Sequence, residues 1–201
     1  VTALKTRRRP GLEKVLSTAD RLFYEAGIHA TGVDTIAAEA GVSKTTMYTY
    51  FRTKEDLVAE YLRGRSRSWQ DHVADRLGAH DGSGVDKLLL VFDLLGEWFD
   101  SDGFRGCPFT NAEAESEPDA PAHQVNLAHR AWVRELFAGL LRQDGLTGTD
   151  VLTHQLAMLY DGAMTGAHAE PGQGWAVAAR EAARALVAAA GTAGDPGRAR
   201  G

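Results

Sequence analysis

The chain has 201 residues, a net charge of −5 and 44% hydrophobic residues, enough to bury a core and too apolar for a disordered chain. A single cysteine excludes an intramolecular disulfide framework, and no apolar run approaches the ~18 residues of a membrane-spanning helix. The start, VTALKTRRRPG, is basic but carries no apolar stretch, so it does not read as a secretory signal; a cytoplasmic protein with no membrane contact is expected.

The charge is unevenly spread. Residues 1–68 hold 12 Lys and Arg against 8 Asp and Glu, a balance of +4, whereas residues 69–201 hold 10 against 19, a balance of −9. A basic head on an acidic body orients the head toward a polyanion. Chance asymmetry of surface charge is the plainer reading of the same numbers.

In chain order, residues 1–9 form a loose basic arm with Arg7, Arg8 and Arg9, free either to enter a minor groove or to stay in solvent. Pro10 suits the first turn of a helix, whose inward stripe is Leu12, Val15, Leu16, Ala19, Leu22, Phe23 and Ala26, with Gly27 as its stop. A second helix is predicted from Val33 to Ala40 and a third from Lys44 to Tyr50, with Ser43 as its cap. Thr53 opens T-K-E-D, a capping-box-like start to a fourth helix reaching Leu77, with Gly64 its weakest point. After a loop at 78–84, residues 85–99 are apolar nearly all round, the mark of a central buried helix. Ser101–Gly106 breaks the pattern. Further helices are expected at 108–117, 120–143, 149–169 and 174–190, and then a disordered tail. The expected fold is all-α with about nine helices: a head at 1–53, a body at 54–191 entered through a connecting helix at 54–77, and a tail at 192–201.

The most informative stretch is VDTIAAEAGVSKTTMYTYF, residues 33–51. Ala37 and Ala38 are small enough for a second helix to cross closely, Gly41 can turn the chain with positive φ, and Val42 supplies an apolar anchor. The helix that follows then presents short polar side chains, as a helix-turn-helix needs for the major groove. With T-K-E-D opening a long fourth helix, this order closely resembles the TetR family of transcription regulators from about Pro10 to Leu62, most strongly over GVSKTTMYTYFRTKEDL, residues 41–57.

That resemblance implies roles. Tyr48 and Lys54 look like phosphate contacts, and Lys44, Thr45, Thr46 and Thr49 like groove-facing readers, with solvated helix surface as the other reading for the threonines. Tyr50 either touches phosphate or packs. Phe51, Phe23, Ile36 and Val42 look like core. Family members often carry Thr or Ser at the cap of the second helix; here that place falls to Gly32, with Thr31 before it.

A recognition helix of under two turns cannot specify a genomic site alone, so a homodimer on a palindromic, double-stranded operator is expected. Gly162, Ala163, Gly166 and Ala167, with the Ala-rich last helix, offer a close-packing surface for it. The resemblance also implies a small-molecule effector bound in the body. Candidates for its site are Phe92, Trp98, Phe109, Asn111, Glu113 and Trp132, with Phe137, Met158 and Tyr160 as further wall and residues 104–118 as a mobile lid. Asp93, Glu97, Asp100, Asp102, Glu113, Glu115, Glu117 and Asp119 crowd the same region. Either they favour a lipophilic cation or they form a solvated acidic face.

No catalytic constellation, cofactor or metal site is expected: His154, Asp161 and His168 share a helical face but rise ~10 Å per step, too far to share one ion. Cys107, before Pro108 at a helix start, reads as a structural thiol or as a redox-sensitive one. The function implied is a repressor that releases its operator when a small lipophilic molecule, either neutral or cationic, binds the body.

Overall fold

The computed structural model describes residues 10–193, the last two by backbone alone. The basic arm with Arg7–Arg9 and residues 194–201 lie outside the described residues. Nine α-helices and no strands are found among those described: α1 (Pro10–Ala26), α2 (Val33–Glu39), α3 (Lys44–Tyr50), α4 (Lys54–Gly78), α5 (Gly84–Phe99), α6 (Pro108–Ala114), α7 (Pro121–Gln143), α8 (Asp150–Ala169) and α9 (Trp175–Ala193). Two expectations shift. α9 continues through Gly191 to Ala193, where a tail was expected to begin, and α6 ends at Ala114 rather than near Glu117.

The chain forms two compact units. The head unit contains Val1–Ser66 and Pro108–Asn126; the body unit contains Arg67–Cys107 and Leu127–Gly201. The boundaries differ from a simple cut at 53/54: α4 and α7 each begin in the head unit and end in the body unit, and all of α6 belongs with the head.

In the head unit, α1 buries Val15, Ala19 and Phe23, α4 buries Leu57, Val58, Tyr61 and Leu62, and the rings of Phe23 and Tyr61 meet at 5.6 Å. Arg65 of α4 fastens the pair. Its guanidinium donates to both carboxylate oxygens of Asp20 on α1 (2.5 and 2.9 Å) and lies 4.1 Å from the ring centroid of Tyr24. A planar fork matched to a carboxylate and stacked on an aromatic face is an arrangement that lysine cannot reproduce. The start of α4 is closed by a reciprocal box in which Asp56 N–H donates to Thr53 Oγ1 and Thr53 N–H donates to Asp56 Oδ2, Asp standing where Glu is more usual.

In the body unit, α5 is the central element. Leu88, Val91, Phe92, Leu94 and Leu95 are fully or almost fully buried, and Phe92 stacks on Phe137 of α7 at 5.8 Å. Its thin outer edge carries Asp93 and Glu97, which accept from Arg180 of α9 and Arg76 of α4 respectively. The helix starts in a Ser83–Asp86 capping box, and Asp144 takes the next two free amides, Gly84 N–H and Val85 N–H, at 2.9 and 2.7 Å. Among the described residues no helix is long and apolar enough to cross a membrane, and no group of three His, Cys, Asp or Glu is placed to hold a metal ion.

His129 is buried on α7 with its ring 5.5 Å from Trp132. Burial, reinforced by the neighbouring Arg130 charge, pushes its imidazole down from 6.5 to about 4. The unfolded chain protonates this histidine near its ordinary value while the folded chain resists until about 4, so the unfolded state binds more protons in between. Stability is therefore fully present above about pH 6.5 and falls as pH drops toward 4, by up to about 3 kcal/mol from this group. In urea titrations, His129→Gln is expected to lose less unfolding free energy than the native chain between about pH 7 and pH 4.5. Equal losses would show that His129 contributes nothing to the acid sensitivity.

Candidate nucleic-acid interface

The turn between α2 and α3 is built as a tight turn requires. Gly41 adopts φ +66°, open to solvent, and Val42 N–H donates back to Ala37 C=O at 3.0 Å. Ala37 is the small buried residue of α2; Ala38 points outward. Ser43 then caps α3, its hydroxyl accepting from Thr46 N–H at 3.0 Å and paired with Thr46 Oγ1 at 2.8 Å. Met47, 1% exposed, fixes the inner face of α3, and Phe51 closes the helix in an extended, buried conformation.

A helix turns about 100° per residue, so positions 44, 45, 48 and 49 share one side. Lys44, Thr45, Tyr48 and Thr49 are all exposed there, Tyr48 at 47% despite its aromatic ring. Thr46 is half-buried and turned to Ser43, a helix-start role rather than an outward one. Thr49 donates to Thr45 C=O at 2.9 Å. Lys44 Nζ sits 2.8 Å from Asp34 on α2; that hydrogen bond and charge raise the Lys44 pKa, and the pair ties the two helices of the motif across their exposed side.

The remaining candidates are differently placed. Tyr50 is half-buried and packs toward α1: its hydroxyl lies 2.9 Å from where a Cβ on Gly11 would stand. Lys54 Nζ donates to Ile28 C=O at 2.5 Å, so it holds the α1–α2 turn as well as standing at the start of α4. Gly32 is the cap of α2 and makes no side-chain cap bond, while the buried Thr31 hydroxyl turns inward to Gly27 C=O and Leu22 C=O.

The effector candidates divide between the units. Phe92, Trp98 and Trp132 belong to the body; Phe109, Asn111 and Glu113 belong to the head. Phe92 is 0% exposed and stacked in the core, and Phe109 is buried, whereas Asn111 is exposed. Glu113 is fully engaged, accepting from Asn126 (3.0 Å) and paired with His123 (2.6 Å), and these bonds lower its pKa. Met158, expected as cavity wall, projects into solvent at 71% exposure. Within the body unit a run of half-buried rings joins three helices and the loop after α5: Trp69, Trp98, Phe99 and Phe104 lie 4.9–6.3 Å apart in sequence of contact, and His168 meets Phe104 edge-on. The buried Tyr160 hydroxyl, its pKa raised well above 10 by desolvation, and half-buried Cys107 belong to the same unit. Of these, Phe99 was expected beside Phe92 and Trp98 as effector wall and Phe104 as the first residue of the lid, whereas Trp69 read only as part of the apolar stripe of α4.

The small residues of α8 separate into two groups. Gly166 has no freedom for a second chain: a Cβ there would stand 2.3 Å from the Trp175 indole. Ala163 and Ala167 are likewise buried within their own chain. Gly162 is open, and it lies on an exposed stripe with Val151, Gln155, Met158 and Thr165.

An all-α chain whose helix-turn-helix presents an exposed polar face on a capped, internally fixed second helix has the build of a DNA-binding transcription regulator. The family model described as bacterial regulatory proteins, tetR family, matches residues 15–61. A TetR-family transcriptional regulator from Streptomyces coelicolor is 31% identical, with a TM-score of 0.81 over 90% of this chain and 96% of that one. The transcriptional activator FasR of Mycolicibacterium smegmatis is 31% identical over 66% of this chain and 60% of its own length. A transcriptional regulator from Saccharomonospora viridis, solved with choline, shares the fold at a TM-score of 0.69 and 19% identity, covering 88% of this chain and 94% of that one. The chain spans about half the length of the first curated relatives it matches, 53% and 54%. The chain belongs to the TetR family of transcriptional regulators, and its relatives are regulators rather than enzymes.

The two glycines of α8 should respond differently to substitution. Gly166→Ala is expected to destabilise the fold by about 1–3 kcal/mol through overpacking against Trp175. Gly162→Ala, which meets open space, should leave stability unchanged or raise it by up to about 1 kcal/mol through helix propensity. Thermal unfolding of both variants checks this; equal effects would mean that Trp175 does not occupy the space over Gly166.

Proposed function

We propose that the chain is a homodimeric repressor that binds a palindromic, double-stranded operator through α3 and releases it when a small lipophilic molecule enters the body. The observation that carries this reading is the exposed face of Lys44, Thr45, Tyr48 and Thr49 on a helix that is fixed from behind by Met47. Thr45 and Thr49 offer hydroxyls and methyls to base edges, Lys44 a cation, and Tyr48 a hydroxyl to the phosphate backbone. Lys54 has three donors and uses one on Ile28 C=O, which leaves two for a phosphate oxygen. The second copy is supported by the stripe of Val151, Met158 and Gly162, since large apolar groups at 71% exposure gain by being covered.

The half-buried rings of the body favour a lipophilic effector. A cationic one would be held by the ring faces rather than by Asp93 or Glu97, which are already paired with Arg180 and Arg76. The choline held by the Saccharomonospora viridis protein fits this choice. FasR is an activator, so the sign of regulation is read separately, in a reporter assay on the selected site.

The test is selection of duplex DNA from a random pool by the intact protein, with Tyr48→Phe and Lys54→Ala alongside. A palindrome is expected, with both variants binding it more weakly and preferring the same sequence. No enrichment by the folded protein at low salt would end the DNA-binding reading. Sedimentation tests the dimer: Met158→Glu places a charge on the exposed stripe and is expected to yield monomer, and an unchanged dimer would move the interface elsewhere. In thermal-shift assays choline and alkyl-chain quaternary ammoniums are expected to stabilise the protein; a response to long-chain carboxylates alone would discard the cationic effector.

A further inference from the structure

The turn between α1 and α2 is held by its own Thr31 and by two side chains from elsewhere in the head unit, Glu115 and Lys54. Gly27 ends α1 with φ +92°. The next two amides, Ile28 N–H and His29 N–H, both donate to the carboxylate of Glu115, at 3.3 and 2.7 Å, across 87 and 86 residues of sequence. Ile28 C=O accepts from Lys54, and Thr31 Oγ1 donates to Gly27 C=O at 2.7 Å. A Cβ on Gly27 would approach Glu115 Oε1 to 3.3 Å, so the glycine both makes the turn and leaves room for the carboxylate. Two consecutive amides on one carboxylate are charge-assisted hydrogen bonds, stronger than the amide–carbonyl bonds of an ordinary turn.

Glu115 follows α6 directly. The segment Pro108–Asn126 packs with the head unit, yet it is joined covalently at both ends, at Cys107 and at Leu127, to the body unit. Glu113, bonded to His123 and Asn126, ties α6 to the first turns of α7, so the segment is internally braced. A displacement of either end of the segment is therefore delivered to the head, and the polar grip at which it arrives is Glu115. We propose that Glu115 is a positioning residue for operator binding: its carboxylate staples the α1–α2 turn, sets the seat of α2 and α3, and makes the head's conformation depend on Pro108–Asn126. This rests on the DNA-binding reading above. It reaches the DNA through Ile28 and His29 rather than by contact.

The experiment uses the full chain and the duplex selected by the native protein. Glu115→Ala is expected to bind that duplex about tenfold more weakly, with unchanged sequence preference, at a temperature where circular dichroism shows it fully helical. Exchange of the Ile28 and His29 amides should accelerate by about tenfold or more while α9 amides stay protected. Glu115→Gln keeps one of the two acceptor oxygens and should recover part of the affinity, and Glu117→Ala, at an exposed position of the same segment, should match the native chain. Native affinity in a folded Glu115→Ala, or equal losses in the 115 and 117 variants, would overturn the proposal. If Glu115→Ala does not fold, Glu115→Asp decides: its carboxylate is one methylene short of both amides, so affinity should fall about threefold, and native affinity overturns the staple. If the native protein selects no duplex, the DNA-binding reading fails, while unchanged exchange at Ile28 and His29 in the variants separately refutes the staple.

Discussion

A helix of seven residues does not hold its shape in water by itself. Helix α3, the proposed reader of DNA, is that short, and most of the head is explained by what keeps it in place. Ser43 satisfies one of its free amides, Met47 buries its inner face, Tyr50 lies over Gly11 at the start of α1, and Lys44 is tied to Asp34 of α2. Ser43 acts locally while Tyr50 and Lys44 reach α1 and α2, so the exposed face of α3 is only as well defined as the packing of those two helices against it. The Arg65–Asp20–Tyr24 arrangement matters for that reason: it fixes α4 to α1 at a point three turns from the start of α4, beyond the reach of its capping box.

The division into two units changes how regulation can be framed. α4 and α7 are single helices that pass from one unit into the other, and all of α6 belongs to the head unit. A continuous helix transmits a displacement because bending it breaks backbone hydrogen bonds. A ligand can bias such a system only through different affinities for two arrangements. In the proposed regulator, those arrangements differ in how Pro108–Asn126 and α4 hold the α1–α2 turn. The turn is suited to this because its polar groups are satisfied by Glu115, Lys54 and Thr31 rather than by a regular helix or sheet ladder.

Nearly all helices were legible in the sequence, since amphipathic spacing, Gly and Pro stops, and the Ser43 and Thr53 starts are local signals. The helix-turn-helix was legible for the same reason, as Gly41, Val42 and Ser43 act within a few residues of one another. What escaped was long-range. Nothing near Glu115 announces that its carboxylate closes a turn more than 80 residues earlier, and nothing near Gly166 announces Trp175. The small residues of α8 read as one close-packing surface, yet Gly166 serves its own chain and only Gly162 remains open. Composition cannot separate those uses; only the direction of each side chain around the helix does.

The acidic body teaches the same distinction in electrostatic terms. A cluster of carboxylates in sequence suggests a cation site, but an unpaired carboxylate in an apolar setting is costly, and a chain that keeps many of them supplies partners. Asp93 and Glu97 meet Arg180 and Arg76, Asp86 and Asp144 cap α5, Glu113 meets Asn126 and His123, and Glu115 takes two backbone amides. Four of the eight carboxylates expected to recruit a ligand, Asp93, Glu97, Glu113 and Glu115, are instead spent on holding segments of the chain to one another. In the proposed regulator, recognition of a lipophilic effector then falls to the half-buried faces of Trp69, Trp98, Phe99 and Phe104, of which the first three also pack against the body core. The acids contribute at one remove, by fixing the helices that carry those rings.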